Sequence, residues 1–265
     1  MRLTELYVHP MKSSRGNALD AAAVTPRGLA HDREWLLVEP DGRFITGRTA
    51  PGLVRVEVEP TVDGARFSTP GRAPLVVEHA AFTAPHDATV WKDRFPAWHG
   101  DATADAWFSA FLGHPCRLLW LGRESQRTQK SGDGELSFAD GYPYLLINRA
   151  SLADLNAQLA EPVGARHFRA NLVVDADFAW QEDEWQRIRV GEVEFEITKP
   201  CTRCVFTTVD PERGERRADG EPMKTLIRTR ALPEGICFGV NMRALNSGTI
   251  RIGNGVEVLE SKFEF

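Results

Sequence analysis

Residues 188 to 209 read IRVGEVEFEITKPCTRCVFTTV and set a pair of cysteines between two predicted β-strands. The first strand is Val193 to Ile197, and the second is the β-branched run from Val205 to Val209. In thioredoxin-like proteins a C-x-x-C pair instead begins a helix, whose N-terminus lowers the pKa of the thiol. We therefore predict that Cys201 and Cys204 lie between strands of a β-rich protein.

Strand patterns also dominate the rest of the chain. Leu3 to His9 reads as a strand, and residues 40–43 (PDGR) contain the Asp-Gly typical of a hairpin turn. Two helices are predicted, one capped by Asp101 and ended by Gly113, and one beginning at Ser151 in an S-x-x-D capping pattern. Because strands and helices do not alternate regularly, the predicted fold is α/β, dominated by β-structure and barrel-like in both halves.

The length of 265 residues allows one large domain or two small ones that share an interface. Residues 122–135, GRESQRTQKSGDGE, are charged and polar, as a surface linker would be. We therefore predict two domains, over residues 1–122 and 123–265.

Charge and hydropathy exclude several classes of partner. A net charge of −5 argues against nucleic-acid binding, which usually needs a basic patch. The sequence has no apolar segment long enough for a signal peptide or a membrane span. We expect a soluble, cytoplasmic protein that binds neither nucleic acid nor membrane, and whose four cysteines form no disulfides.

The cysteine pair carries the first chemical signal. A zinc site would need a second ligand pair at compatible spacing, and Cys116 and Cys237 stand isolated in the sequence. Lys199 and Arg203 bring positive charge that favours thiolate. The alternative is that both cysteines are small buried apolar residues, and the spacing alone leaves the two readings open.

Cationic and polar clusters carry the second signal. Residues 9–16, HPMKSSRG, place cations, hydroxyls and a glycine after the first strand, where they could hold a phosphate. Arg33 and Arg169 stand just before predicted strands, and Asp140 lies in an Asp-Gly turn. Solvated loops, weak surface ion pairs and turn formation are the alternative explanations. Motifs for nucleotide hydrolysis, dinucleotide binding, zinc proteolysis and ester hydrolysis are absent from the sequence.

Six motifs, in this order, resemble the MOSC family, which is named for the C-terminal domain of molybdenum-cofactor sulfurase. They match its two-part members, which have an N-terminal β-barrel-like domain, a MOSC β-barrel domain and a few helices. The motifs are HPMKSSRG (9–16), GLAHDREWLLVEPDGRFITGR (28–48), FADGYPYLLINRASLADLN (138–156), FRANLVV (168–174), CTRCVFTTVDPERG (201–214) and FGVNMRALNSGTIRIGNGVEVL (238–259).

This resemblance implies a site for the molybdenum cofactor, Mo-molybdopterin. Cys204 matches the residue that binds the metal, as a permanent ligand and not a nucleophile. The residues that match those holding the pterin and its phosphate are Lys12, Ser13, Arg33 and Arg169. Asn171 and Asp140 are expected nearby, Asp140 with Cys204 in the catalytic set. Pyridoxal phosphate binding is a further property that the family resemblance carries.

The implied reaction is reduction of N-hydroxylated compounds (hydroxylamines, amidoximes and N-hydroxylated bases) to amines or amidines, a detoxification. Because the sequence has no dinucleotide motif and no iron–sulfur ligand set, we expect a separate electron donor, a flavin reductase with or without a ferredoxin. The alternative function is a non-catalytic carrier of molybdenum cofactor or persulfide sulfur.

Overall fold

The computed structural model describes residues 1–129 and 134–262, which form one nine-stranded sheet, one four-stranded sheet, two three-stranded sheets and three α-helices. The helices are α1 (Ala102–Leu112), α2 (Arg149–Asn156) and α3 (Met223–Thr229). In chain order the strands are β1 (Leu3–Val8), β2 (Asn17–Ala18), β3 (Ala21–Thr25), β4 (Gly28–Leu29), β5 (Trp35–Val38), β6 (Glu57–Thr61), β7 (Gly64–Thr69), β8 (Arg72–Glu78), β9 (Ala84–Val90), β10 (Asp93–His99), β11 (Arg117–Trp120), β12 (Tyr144–Asn148), β13 (Leu172–Val174), β14 (Trp185–Val190), β15 (Val193–Thr202), β16 (Ala231–Leu232), β17 (Gly235–Ala244), β18 (Gly248–Arg251) and β19 (Val256–Ser261). The prediction of a β-dominated α/β fold is confirmed.

The nine-stranded sheet joins both ends of the chain. Its order is β19-β14-β15-β17-β12-β13-β1-β2, with β16 paired to β17. The first strand, β1, is antiparallel to β13, and β12 is parallel to β13. Tyr144 and Phe195 meet edge to face in its core, with ring centroids 5.2 Å apart. Residues near the N-terminus therefore build the same sheet as the second half of the chain.

A second core lies under the sheets of the first half, β5-β11-β10-β9 and β6-β7-β8. Trp35 of β5 packs edge-on against Phe67 of β7, at a centroid distance of 5.7 Å. Phe108 of α1 contacts the same phenylalanine at 5.2 Å. Burying side chains of this size stabilises the fold by about 1.5–3 kcal/mol each, so these aromatic rings fix how α1 sits on the sheet.

Local signals located the first helix and the first hairpin correctly. The Asp101 carboxylate accepts hydrogen bonds from the N–H groups of Thr103 and Ala104 at 2.9 and 3.0 Å, and caps α1. Gly113 ends that helix in the left-handed conformation, with φ 80°. In the hairpin, the Gly42 N–H donates to the Glu39 carbonyl at 2.9 Å.

The predicted start of the second helix is wrong. The helix begins at Arg149, two residues before Ser151, because the Asn148 side chain caps it by accepting from the Ala150 N–H at 3.0 Å. The Ser151 hydroxyl is buried instead and donates to the Glu182 carboxylate at 2.8 Å.

The predicted strand from Val205 to Val209 is also wrong, because Val205–Thr208 forms a turn of 3-10 helix. The Thr207 hydroxyl donates to the Cys204 carbonyl at 3.0 Å, and the Thr207 N–H donates to it at 3.1 Å. Such local bonds compete with strand pairing. Cys204 therefore lies at the start of a tight turn that follows β15.

The polar stretch 122–135 is not a simple surface linker. Arg127 is 2% exposed, and its guanidinium donates to the Ser137 carbonyl at 2.8 Å and to the Asp140 carbonyl at 3.1 Å. Residues 130–133 of this stretch lie outside the described residues. The domain boundary after residue 122 stays a prediction. Among the described helices, none has the length and apolar character needed to cross a membrane.

Candidate functional site

The seven residues singled out from the sequence lie next to strand ends. Lys12 and Ser13 follow β1, Arg33 precedes β5, Asp140 precedes β12, Arg169 and Asn171 precede β13, and Cys204 follows β15. Because β13 is antiparallel to β1 and parallel to β12, the end of β1 meets the starts of both β12 and β13. Strand pairing therefore brings together segments that are more than a hundred residues apart in sequence.

Three of these residues hold an unusual backbone conformation. Ser13, Arg33 and Arg169 have φ angles of 70°, 53° and 56°, in the left-handed region that non-glycine residues rarely occupy. Each such residue costs about 1–3 kcal/mol unless its surroundings hold it in place, and such residues cluster at functional sites. The fold thus maintains strain where three segments converge.

Lys12 is buried and forms an ion pair at the rim of this region. Its Nζ donates to the Phe138 carbonyl at 2.8 Å and to Asp140 Oδ1 at 2.7 Å. The indole N–H of Trp91 donates to the same carboxylate oxygen at 2.9 Å. Desolvation raises the pKa of Asp140, but the charge and hydrogen bond of Lys12 outweigh it and hold that pKa well below the usual range. Desolvation lowers the pKa of Lys12, and Asp140 partly offsets this.

Arg33 is fixed by three polar partners, one of which is the Arg169 carbonyl, to which its Nη2 donates at 3.3 Å. Its Nη1 forms a short ion pair with the buried carboxylate of Asp32 and donates to Asn171 Oδ1 at 3.3 Å. The Asn171 side chain is fully buried, and the same oxygen accepts from the Leu145 N–H at 3.2 Å. Asn171 therefore holds Arg33 in position and links strand β12 to the start of strand β13.

Arg169 carries the least satisfied cation of the site. Its Nη1 donates to the Ser14 carbonyl, whereas its buried Nη2 has no hydrogen-bond partner among the described residues. Desolvation and the neighbouring charge of Arg33 lower the pKa of Arg169 to about 9. The guanidinium also lies 5.6 Å from the ring centroid of Phe206. An unpaired buried N–H beside other cations is where an anion would gain most.

His9 lies in the same cluster, although the sequence gave it no role. It is 1% exposed, its Nε2 lies 3.3 Å from the Ala170 carbonyl, and its Nδ1 is unpaired within the described part of the chain. Desolvation, followed by the charges of Arg169 and Arg33, places its pKa well below the usual value, so the ring is neutral. A Cβ on Gly16 would lie 2.5 Å from the ring, which explains a glycine there.

The two cysteines have different environments. Cys204 is exposed, whereas Cys201 is half-buried against the core cluster that contains Phe168. Arg203 turns toward Cys201, since its Nη1 donates to that sulfur at 2.9 Å and its Nη2 donates to the Phe168 carbonyl at 2.7 Å. Arg203 was expected to bring positive charge to the cysteine pair, and its guanidinium contacts Cys201 and ties the cysteine segment to the segment that carries Arg169.

A further group of residues at the rim of the site was not predicted from the sequence. Gly47 packs so closely on Phe206 that a Cβ there would lie 2.1 Å from the ring. The guanidinium of Arg48, the next residue, lies 4.3 Å from the ring of Trp91, which in turn bonds Asp140. Arg48 is the last residue of the motif at 28–48, but nothing local in the sequence indicates that it contacts Trp91. These contacts connect the Cys204 turn to the Lys12–Asp140 pair.

The arrangement suits an anionic ligand that carries a phosphate. Asp140 holds Lys12 and Asp32 holds Arg33, and Arg169 lies against Phe206 in the turn that begins at the exposed Cys204. Within residues 1–129 and 134–262, no three His, Cys, Asp or Glu side chains converge as metal ligands. A metal bound at Cys204 would need its other ligands from a cofactor or from solvent.

Comparison with known proteins identifies the family of the chain. The family model of the MOSC N-terminal beta barrel domain matches residues 1–115, and that of the MOSC domain matches residues 133–257. The chain is 31% identical to mitochondrial amidoxime-reducing component 1 of Mus musculus, over 97% of this chain and 82% of that protein. The chain belongs to the MOSC family.

Two further relatives are similar to this MOSC protein over most of its length. Mitochondrial amidoxime reducing component 2 of Bos taurus is 30% identical over 96% of this chain and 82% of the relative. Molybdenum cofactor sulfurase of Oryza sativa subsp. japonica is 26% identical over 91% of this chain but only 32% of its own length. The names of these relatives refer to amidoxime reduction and to the molybdenum cofactor.

Proposed function

We propose that this MOSC protein is an oxidoreductase that reduces N-hydroxylated small molecules to amines, with a molybdenum cofactor bound at Cys204. The observation that carries the proposal is the approach of the Lys12, Arg33 and Arg169 segments at the ends of paired strands, with Arg169 5.6 Å from the ring of Phe206 in the turn that begins at the exposed Cys204. Relatives matched over 82% of their length are named for amidoxime reduction, which supports the substrate class.

The residues present fit a molybdenum cofactor. The unpaired Nη2 of Arg169 and the buried ammonium of Lys12 would bind its phosphate, and Arg33 would bind its polar pterin edge. Ser13 has a left-handed backbone, and the carbonyl of the next residue, Ser14, accepts a hydrogen bond from Arg169. The thiolate of Cys204 is a soft ligand, which suits molybdenum. When bound, the cofactor supplies the two-electron chemistry of the reaction.

Asp140 has a positioning role in this proposal. Reduction of one N–OH group to an amine consumes two electrons and two protons and releases one water. The low pKa of Asp140 keeps it ionised at neutral pH, so it accepts hydrogen bonds from Lys12 and Trp91 and does not supply a proton. Its carboxylate fixes both side chains at the rim.

Electrons would come from a separate protein, a flavin reductase with or without a ferredoxin. The sequence lacks a dinucleotide motif and a cysteine set for an iron–sulfur cluster, which supports this part of the proposal. NADH alone should give no turnover with the isolated chain, and adding a reductase should restore it. Turnover with NADH alone would contradict the need for a donor.

A second candidate function is a carrier that binds molybdenum cofactor or sulfur without turnover, which the similarity to molybdenum cofactor sulfurase favours. The deciding experiment uses protein from a host that makes the cofactor, a chemically reduced viologen dye, and benzamidoxime. The oxidoreductase proposal predicts catalytic formation of benzamidine, and protein from a cofactor-deficient host should form none. A loaded protein without turnover would favour the carrier.

A further inference from the structure

Trp91 lies at the rim of the site in a strained and exposed position. It occupies the turn between β9 and β10 with φ 59°, and 48% of its surface is exposed. A bulky residue rarely adopts this conformation. The hydrogen bond from its indole N–H to Asp140 holds the ring in place, so the fold presents a fixed aromatic surface to solvent.

Arg48 lies over this surface. Its guanidinium carbon is 4.3 Å from the ring of Trp91, and its Nε lies 3.4 Å from the Thr46 hydroxyl. Among the described residues Arg48 forms no ion pair, unlike Arg33 and Lys12. Its terminal N–H groups are thus free on the edge that faces away from Thr46. Because Arg48 is already held against the indole, it would lose less conformational freedom on binding a ligand than an unrestrained arginine would.

The position of Arg48 separates it from the cations proposed for the cofactor. Gly47 seats the Arg48 segment on Phe206, two residues after Cys204, and Trp91 links Arg48 to Asp140. Arg48 takes no part in the network of Asp32, Arg33 and Asn171. Through Trp91 and Gly47, Arg48 therefore lies near both Asp140 and the turn that begins at Cys204.

We propose that Arg48, stacked on Trp91, is a subsite for a carboxylate on the N-hydroxylated substrate. This inference rests on the proposed reductase function. The planar guanidinium presents two parallel N–H groups that match the two oxygens of a carboxylate. The protein would then favour N-hydroxylated compounds that carry an acid group several bonds from the reacting nitrogen.

The test compares two substrates that differ only in the acid, benzamidoxime and para-carboxybenzamidoxime, with a chemically reduced viologen as electron source. In Arg48→Gln we expect the KM for the carboxylated substrate to rise about tenfold or more, since one charge-assisted bidentate contact is lost. The KM for benzamidoxime and both kcat values should stay within about twofold. Arg48→Lys keeps the charge without the planar fork, so its KM should lie between those of wild type and Arg48→Gln.

Arg43→Gln is the matched control, because Arg43 is an exposed arginine in the neighbouring hairpin turn. It removes the same charge and should change neither KM. Equal effects of Arg48→Gln on both substrates, or loss of molybdenum from that variant, would overturn the subsite. If wild-type protein reduces neither substrate, the proposed function fails and the subsite with it. If wild type reduces both and Arg48→Gln behaves like wild type, only the subsite fails.

Discussion

Replacing Arg169 with methionine should separate anion binding from folding. In the cofactor-free protein the unpaired, buried Nη2 of Arg169 destabilises the fold by about 1–3 kcal/mol. The hydrogen bond from Nη1 to the Ser14 carbonyl stabilises it by a similar amount. The two effects nearly cancel, so Arg169→Met should change the free energy of unfolding by no more than about 1 kcal/mol, or about 3 °C in Tm. In the loaded protein the same change removes a charge-assisted bond worth about 1.5–3 kcal/mol, which weakens cofactor retention about 10- to 150-fold.

The assay is molybdenum per chain after extended dialysis, together with thermal melts of cofactor-free protein. Arg189→Met is the control, because Arg189 lies on β14 and forms exposed ion pairs with Glu194 and Glu257 at 2.9 and 3.0 Å. Surface ion pairs contribute little, so neither stability nor retention should change. A large loss of stability in cofactor-free Arg169→Met, with molybdenum retained in the loaded form, would show that Arg169 serves folding and not the cofactor.

Three further predictions concern the cysteines, the glycine contact and acid stability. Cys204→Ala should abolish turnover, whereas Cys201→Ala should keep much of it and lose about 1 kcal/mol in a urea melt; equal inactivation of both would favour a dithiol mechanism. Gly47→Ala should displace the ring of Phe206 and reduce molybdenum retention. Adding Phe206→Ala should restore part of that retention, and no restoration would show that the two residues act independently. His9 is neutral in the folded protein, whereas in the unfolded chain it binds a proton once the pH drops below its ordinary pKa. The free energy of unfolding should therefore decrease as the pH is lowered from about 6.5, by at most about 1.4 kcal/mol per pH unit for this residue. Urea melts from pH 7 to 5 should show a shallower decline in His9→Gln, and an unchanged slope would contradict the assignment.

The sequence predicts helix ends and turns correctly where neighbouring residues determine them. Asp101 and Gly113 delimit α1 through hydrogen bonds within one turn of the helix, and residues 40–43 close their hairpin in the same local way. The cations Lys12 and Arg169 were found through ordered motifs, and strand pairing places their segments at one edge of the sheet. How they act on a ligand stays a prediction.

Of the remaining features, one depends on local side-chain bonds and the others depend on contacts between distant segments. The run from Val205 to Val209 has a strand-like composition, but side-chain bonds to Cys204 turn it into a 3-10 turn. Arg127 lies in a polar stretch, yet it is buried because the carbonyls of the Asp140 loop accept its N–H groups. The stack of Arg48 on Trp91 joins residues 43 positions apart, which no periodicity in the sequence reveals.

The most direct test is elemental analysis of wild-type protein purified from a host that makes the molybdenum cofactor. Cys204 supplies a single soft ligand, and among the described residues no three ligands of the kind that close a zinc site converge. We predict about one molybdenum per chain and no stoichiometric zinc, with the molybdenum lost in Cys204→Ala. Stoichiometric zinc without molybdenum, or molybdenum retained fully in Cys204→Ala, would contradict a molybdenum cofactor bound at Cys204.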